Sequence, residues 1–166
     1  MPQRLAAPKS STDAVLVLPD IRSAHNVGAI FRTADAAGVS KLYLVGITPQ
    51  PVDRFGRPRA DVAKAALGAE ATVVWEARAT LVPLISKLKK EGYKIVAIEQ
   101  SETSTDYKKV KLAGKVAFIL GAEVEGLPKN VLAKCDIVAE IPMRGMKESL
   151  NVSVAAGIAL FRMLGI

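Results

Sequence analysis

Six short apolar runs recur along the chain: AVLVLP at 14–19, KLYLVG at 41–46, ATVVW at 71–75, KIVAIE at 94–99, KVAFIL at 115–120 and DIVAEI at 136–141. They are continuous rather than alternating, which is the pattern of strands covered on both faces. Helical spacings lie between them. Residues 24–38 place Val27, Ile30, Phe31, Ala34 and Ala37 on one stripe, and Gly38 is a natural C-terminal stop. Residues 59–67, 78–91 and 149–164 read as further helices, and Pro128 opens a short one over 128–134. This β-α-β alternation predicts a three-layer α/β domain with a mostly parallel sheet. At 166 residues one domain is expected, here 13–166, preceded by a loose arm at 1–12. The Pro/Gly-rich connection ITPQPVDRFGRP at 47–58 is expected to be a mobile functional loop. The polar, then Lys-rich stretch 101–113 reads as a surface loop.

Composition removes several classes. Half of the residues are hydrophobic and 23% are charged, which excludes general disorder. A single cysteine, Cys135, excludes a disulfide scaffold and needs no role beyond packing. With one His and one Cys the common zinc sites cannot be built, and no carboxylate cluster marks a magnesium site, so no metal is expected. Serine-triad chemistry would have to use His25, with no GxSxG elbow beside it, and there is no GxGxxG for a dinucleotide. Neither a signal peptide nor a membrane span is visible, so a soluble cytoplasmic protein is expected. The net charge is +7, spread as +3 over residues 1–83 (10 basic, 7 acidic) and +4 over 84–166 (13 basic, 9 acidic). Such an excess suits a polyanion such as RNA or DNA, although it also serves solubility.

In open parallel sheets ligands bind beyond the carboxyl ends of strands, and three segments qualify. In 21–35, His25, Gly28, Arg32 and Asp35 share one helix face. There Arg32 either clamps a phosphate or carboxylate or simply pairs with Asp35, and Asn26 either serves the site or caps the helix. In 119–128, Gly121 and Gly126 permit a close turn, while Glu123 and Glu125 would repel phosphate and tolerate a cation better. In 141–157, Ser149 starts the last helix as its N-cap or serves a site, and Asn151 sits in an otherwise apolar stretch where its amide needs a partner. That last helix leaves almost no polar face, which predicts a second copy packed on it.

In order, NVGAIFRTADAAGV at 26–39, FILGAEVEGLP at 118–128 and IPMRGMKESLNVSVAAGIALF at 141–161 resemble the three motifs of the SpoU/TrmH-type RNA ribose 2′-O-methyltransferases of the SPOUT superfamily. The resemblance spans roughly residues 14–164 and the third motif is long and specific. It implies an α/β knot (SPOUT) domain whose C-terminal segment is threaded into a trefoil knot, and an S-adenosylmethionine (S-adenosyl-L-methionine) cofactor held by the knot loops. Leu120, Gly121, Ile141, Met143, Gly145 and Leu150 form the implied cofactor set. Gly121, Ile141 and Leu150 would contact it mainly through backbone and apolar groups, with Met143 helping to enclose the adenine. The family's functional polar residues fall on Asn26, Arg32, Glu123, Ser149 and Asn151, and all five are present. The family's favoured proposal makes the arginine the base, but a guanidinium has no acceptor while charged, so holding a phosphate is the safer role for Arg32.

The resemblance also implies a homodimer through the motif-one helix and the C-terminal helix. No separate N-terminal RNA-binding domain or C-terminal extension is visible, so the core, the arm and the dimer partner are expected to grip the RNA. Arg54, Phe55, Arg57 and Arg59 of the 47–59 loop are the leading RNA-binding candidates, with Arg22, Arg144 and Lys147 beside them. The function expected is methyl transfer from S-adenosylmethionine to a ribose 2′-hydroxyl of tRNA or rRNA, the compact form mildly favouring tRNA. The alternatives are a non-catalytic knotted RNA-binding protein and a folding scaffold that retains the cofactor pocket.

Overall fold

The computed structural model describes residues 11–166. Within them the elements run β1 (Thr12–Pro19), α1 (Ala24–Ala37), β2 (Lys41–Val45), α2 (Ala60–Ala66), α3 (Ala69–Thr72), β3 (Trp75–Arg78), α4 (Leu81–Lys90), β4 (Lys94–Ile98), β5 (Thr105–Asp106), β6 (Gly114–Leu120), α5 (Lys129–Leu132), β7 (Ile137–Glu140) and α6 (Val152–Met163). A 3₁₀ turn at Tyr107–Lys109 follows β5. All seven strands join one parallel sheet in the order β3-β2-β1-β6-β4-β7-β5. Because β1 already begins at Thr12, the expected arm at 1–12 reduces to Ser11 and the residues at 1–10, which lie outside the described residues.

The continuous apolar runs are continuous because each strand serves two cores. Leu16 and Leu18, Leu42 and Leu44, Val96 and Ile98, Val116, Phe118 and Leu120 face the layer of α1, α2, α3 and α6. Their alternate neighbours Val15 and Val17, Tyr43 and Val45, Ile95 and Ala97, Ala117 and Ile119 face α4 and α5 through Leu84, Ile85, Leu88 and Val131. Side chains alternate across a strand, so a segment buried on both faces shows no polar position. Cys135 belongs to the second cluster, and burial pushes its thiol up to about 11, which keeps it protonated and inert.

Three local expectations are corrected. The run ATVVW at 71–75 is not a strand: Leu67 and Gly68 reverse the chain at positive φ, Ala69–Thr72 forms a helical turn, and the strand starts at Trp75 opposite Leu42. Ala69, Glu70 and Ala71 favour a helical turn, which takes up the head of that run before the Val73–Val74 pair. The 101–113 segment is not only surface loop. It contributes the edge strand β5 against Ala139 and Glu140, and Tyr107, Val110 and Leu112 pack on the helix-side core. Finally, the 47–58 connection folds on itself as a hairpin instead of hanging free. Asp53 N–H donates to Arg57 O at 2.8 Å and Arg59 N–H to Pro51 O at 2.9 Å, while Asp53 Oδ1 accepts from the N–H of Phe55 and of Arg57.

Helix α1 meets α2 at Gly28, which is buried and not on the open face expected for it. A Cβ there would lie 2.4 Å from Val62 O and 2.8 Å from Ala65 Cβ. Gly28→Val should therefore lower the unfolding free energy by about 1–3 kcal/mol, the usual cost of overpacking. Urea denaturation checks this, and an unchanged midpoint would mean that the two helices are not held at this distance.

Candidate active site

The carboxyl ends of β4, β6 and β7 open on a single cleft. Ile98, Glu99 and Gln100 supply one wall, Leu120, Gly121 and Glu123 a second, and residues of the 141–155 segment a third. Its cavity volume is about 140 Å³, smaller than the roughly 300–1,000 Å³ of most small-molecule sites, and it opens broadly to solvent. Five of the six residues expected at a cofactor line it: Leu120, Gly121, Ile141, Met143 and Leu150. Gly145 does not, and sits exposed in the loop between Met143 and Glu148 with open space around it.

At the edge of the cleft a hydrogen-bonded chain joins the three motif segments. Asn26 lies in the first turn of α1 and is 9% exposed. Its Nδ2 donates to Glu123 Oε1, and its Oδ1 accepts from Asn151 Nδ2 at 3.2 Å. Asn151 Oδ1 in turn accepts from the N–H of Ser153 at 2.9 Å and from Ser153 Oγ at 2.6 Å. Two capping assignments follow. Asn26 is not the cap of α1, because Ser23 Oγ takes that place by accepting from Asn26 N–H at 3.1 Å. Ser149 is not the cap of α6, because Asn151 is, and Ser149 lines the cleft instead. The loop that precedes α6 ends on an amide that both caps the helix and reaches across to α1, so α6 begins only after it.

Arg32 is exposed on α1 and, among the described residues, has no hydrogen-bond or ion-pair partner; the pairing with Asp35 does not form. Arg22, Arg144 and Lys147 are likewise exposed without a carboxylate partner among the described residues, whereas the hairpin arginines differ from expectation. Arg57 pairs with Asp53 at 2.8 Å, and Arg59 pairs with Asp61 through two nitrogens at 3.1 and 2.6 Å. Both carboxyls are held below their usual range, Asp53 by the backbone N–H and guanidinium of Arg57, and Asp61 by the guanidinium of Arg59. The guanidiniums of Arg54 and Arg57 lie 4.7 and 5.0 Å from the ring centre of Phe55, which is 67% exposed.

Sequence reasoning passed over Glu99 and Gln100. Glu99 Oε1 accepts from Gln100 N–H at 2.9 Å and Oε2 from Leu127 N–H at 3.1 Å, and Gln100 Nε2 donates to Glu148 O at 2.7 Å. The available signal was a charged residue directly after an apolar strand run, at the sheet end where ligands bind.

Removing the bridging amide should cost both the α6 cap and a partner for Asn26. Asn151→Ala is expected to lower the unfolding free energy by about 1–3 kcal/mol. Asn151→Asp should recover the capping part alone, since a carboxylate cannot donate to Asn26 Oδ1. Urea titrations of the two variants make the comparison, and equal loss in both would refute the split.

The chain matches the model of the SpoU rRNA Methylase family over residues 13–161. It is 37% identical over 153 residues to the 23S rRNA (guanosine-2′-O-)-methyltransferase RlmB of Vibrio vulnificus, covering 92% of this chain and 59% of that protein. Among solved structures, the AdoMet-bound rRNA methyltransferase from Sinorhizobium meliloti superposes with a TM-score of 0.79 at 29% identity, covering 94% of this chain and 57% of that one. The TrmH/SpoU tRNA modifying enzyme of A. aeolicus gives 0.77 at 28% identity, covering 92% and 74%. The chain thus spans a little under three fifths of the length of the curated relatives it matches. With two motif segments lining one cleft, the first tied to both through Asn26, and a family model that covers nearly all of the described residues, the protein belongs to the SpoU rRNA methylase family.

Proposed function

We propose that this chain is the methyltransferase domain of an S-adenosylmethionine-dependent RNA 2′-O-methyltransferase acting on a ribose of rRNA or tRNA. The observation that carries the reading is the bridge Glu123–Asn26–Asn151, which joins all three motif segments beside a cleft at the carboxyl ends of the sheet. The residues present fit the cofactor. Leu120, Ile141, Met143 and Leu150 offer apolar surface for an adenine, and Glu99, Glu123 and Glu148 line the same cleft without an ion-pair partner among the described residues. Such a lining favours a cation over a phosphate. When bound, S-adenosylmethionine supplies an electrophilic methyl on a sulfonium, which a ribose 2′-hydroxyl oxygen takes by in-line displacement.

The chain's own residues position and stabilise. Arg32, free of any carboxylate, holds the substrate phosphate and stabilises the alkoxide as it develops, while the hydroxyl proton leaves toward that phosphate. Asn26 keeps Glu123 and Asn151 in place, and Ser149 faces the cleft to orient the ribose. Much of the rate then comes from holding two substrates in line. Gly145 belongs to the loop that covers the cofactor. Arg22, Arg54, Arg57, Arg59, Arg144 and Lys147 carry the RNA backbone, and Phe55 stacks an unpaired base.

The finer architecture belongs to the same reading. The 141–151 segment runs from β7, inside the sheet, to α6 on α1, and passes the loop after β4, to which Gln100 pins it at Glu148. That path supports a C-terminal trefoil knot. Val154, Ile158 and Phe161 leave an apolar stripe exposed on α6, with Leu150 beside it, which supports a homodimer through α1 and α6. No helix among the described residues is long and apolar enough to cross a membrane, and we place the protein in the cytoplasm, where its RNA substrates are.

Two measurements test the reading. Purified protein with tritiated S-adenosylmethionine and unmodified rRNA and tRNA transcripts should yield a labelled 2′-O-methyl nucleoside, and Arg32→Ala should abolish transfer while cofactor affinity by calorimetry stays within a few-fold. Near wild-type turnover in Arg32→Ala would remove the arginine from the chemistry. RNA affinity should fall steeply between 50 and 200 mM salt, by roughly the 10³-fold of a site with about six phosphate contacts. A flat salt dependence would dismiss the basic surface as the RNA grip.

A further inference from the structure

Glu99 ends the apolar run of β4 and turns its carboxylate under the 121–127 turn that follows β6. Four observations converge on that carboxylate. Oε2 accepts from the N–H of Leu127 at 3.1 Å, and Oε1 accepts from the N–H of Gln100 at 2.9 Å. A Cβ at Gly121 would fall 2.3 Å from Oε2, and one at Gly126 would fall 2.6 Å from the same atom. The turn is closed over it by the N–H of Gly126 donating to Ala122 O at 3.1 Å, with Gly126 at φ +64°. A side chain at either glycine would therefore have to push the carboxylate out of the place where it accepts these hydrogen bonds. Gly126 also needs its left-handed backbone, whereas Gly121 is restricted by Glu99 alone.

We propose that Glu99 is a positioning residue for methyl transfer: by seating the 121–127 turn it sets Glu123 against Asn26. The proposal rests on the functional reading above. It assigns Glu99 no contact with RNA or with the reacting atoms. Glu123 is carried on the exposed rim of the turn, so apart from the Asn26 hydrogen bond its position is set by the backbone on either side. On one side that backbone continues β6, which the sheet holds. On the other it passes through Gly126 to Leu127, and the buried Leu127 side chain and the Glu99 hydrogen bond hold it there. Releasing the Leu127 N–H leaves a glycine-flanked turn free to shift by an ångström-scale amount, enough to cost rate in an aligned displacement.

A stabilising acceptor with no part in positioning would change the unfolding midpoint and nothing else in the folded protein. A positioning residue acting through Glu123 must also lose its effect once Glu123 no longer works. The experiment is a double-mutant cycle on kcat with Glu99→Ala, Glu123→Gln and the pair, and with Glu99→Gln as the milder variant that keeps one acceptor oxygen. Glu99→Ala should lower kcat by roughly 10–100-fold, the scale of an ångström-sized misplacement, with KM for RNA little changed. Glu99→Gln should fall between Glu99→Ala and wild type. The double variant should be no slower than the slower single variant. Effects that multiply independently, or a Glu99→Ala enzyme within twofold of wild type, would overturn the proposal.

Amide hydrogen exchange supplies the readout that does not depend on activity: Leu127 and its neighbours should lose protection in Glu99→Ala while β6 keeps it. Unchanged protection at Leu127 would overturn the proposal even in a protein that methylates nothing. Absence of transfer by the wild-type protein on every RNA, together with the expected loss of protection, would instead overturn the functional reading and leave the seating of the turn established.

Discussion

One buried amide ties together segments 97 and 125 residues away from it along the chain. Asn26 sits in the first turn of α1, holds Glu123 after β6 with its nitrogen, and takes Asn151 at the head of α6 with its oxygen. Neither outer residue has a comparable anchor: Glu123 rides on an exposed turn, and Asn151 ends a loop of which Arg144 to Leu150 are exposed. A side-chain amide is suited to this place because it donates and accepts at once without carrying charge into a partly dry site. An apolar residue there would leave Glu123 and Asn151 without each other, and a carboxylate would set like charges together. Of the three walls of the cleft, Asn26 ties together two, the turn after β6 and the segment that leads into α6.

The sheet was legible in the sequence because burial on both faces removes every polar position from a strand. Five of the six apolar runs became strands at nearly the expected bounds. ATVVW did not, because the helical turn that Ala69 and Glu70 open after the reversal at Leu67 and Gly68 takes up its first two residues, and only tertiary pairing with Leu42 sets where the strand starts. Strand β5 is two residues long and exists because Ala139 and Glu140 lie beside it, so no local pattern announces it. The motif resemblance picked out Asn26, Glu123 and Asn151 together, and the fold hydrogen-bonds these three to one another. Their roles at the level of hydrogen bonds were not legible in it, since the choice of Asn151 over Ser149 as the cap depends on where α1 stands.

The same distinction explains Glu99. Its chemistry is visible only once the β6 turn has been placed over it, and then the glycines at 121 and 126 read as clearance for a carboxylate. The basic hairpin gives the opposite lesson. Arg57 and Arg59 count as two positive charges in the composition, yet each is met by an aspartate in the fold. The unpaired cations on the surface are fewer than the sum suggests: Arg54 remains in the hairpin, and Arg22, Arg32, Arg144 and Lys147 lie on the three motif segments or next to them.

Chain order adds a consequence for the birth of the site. Two walls of the cleft, at 98–100 and 120–123, are made before the third, which comes from 141–155. On a ribosome the first two walls emerge while Ile98 and Leu120 still face water and Asn26 still waits for Asn151. Until the 141–155 segment has been made and α6 has packed on α1, the cleft lacks its third wall and Asn26 lacks the amide it accepts from.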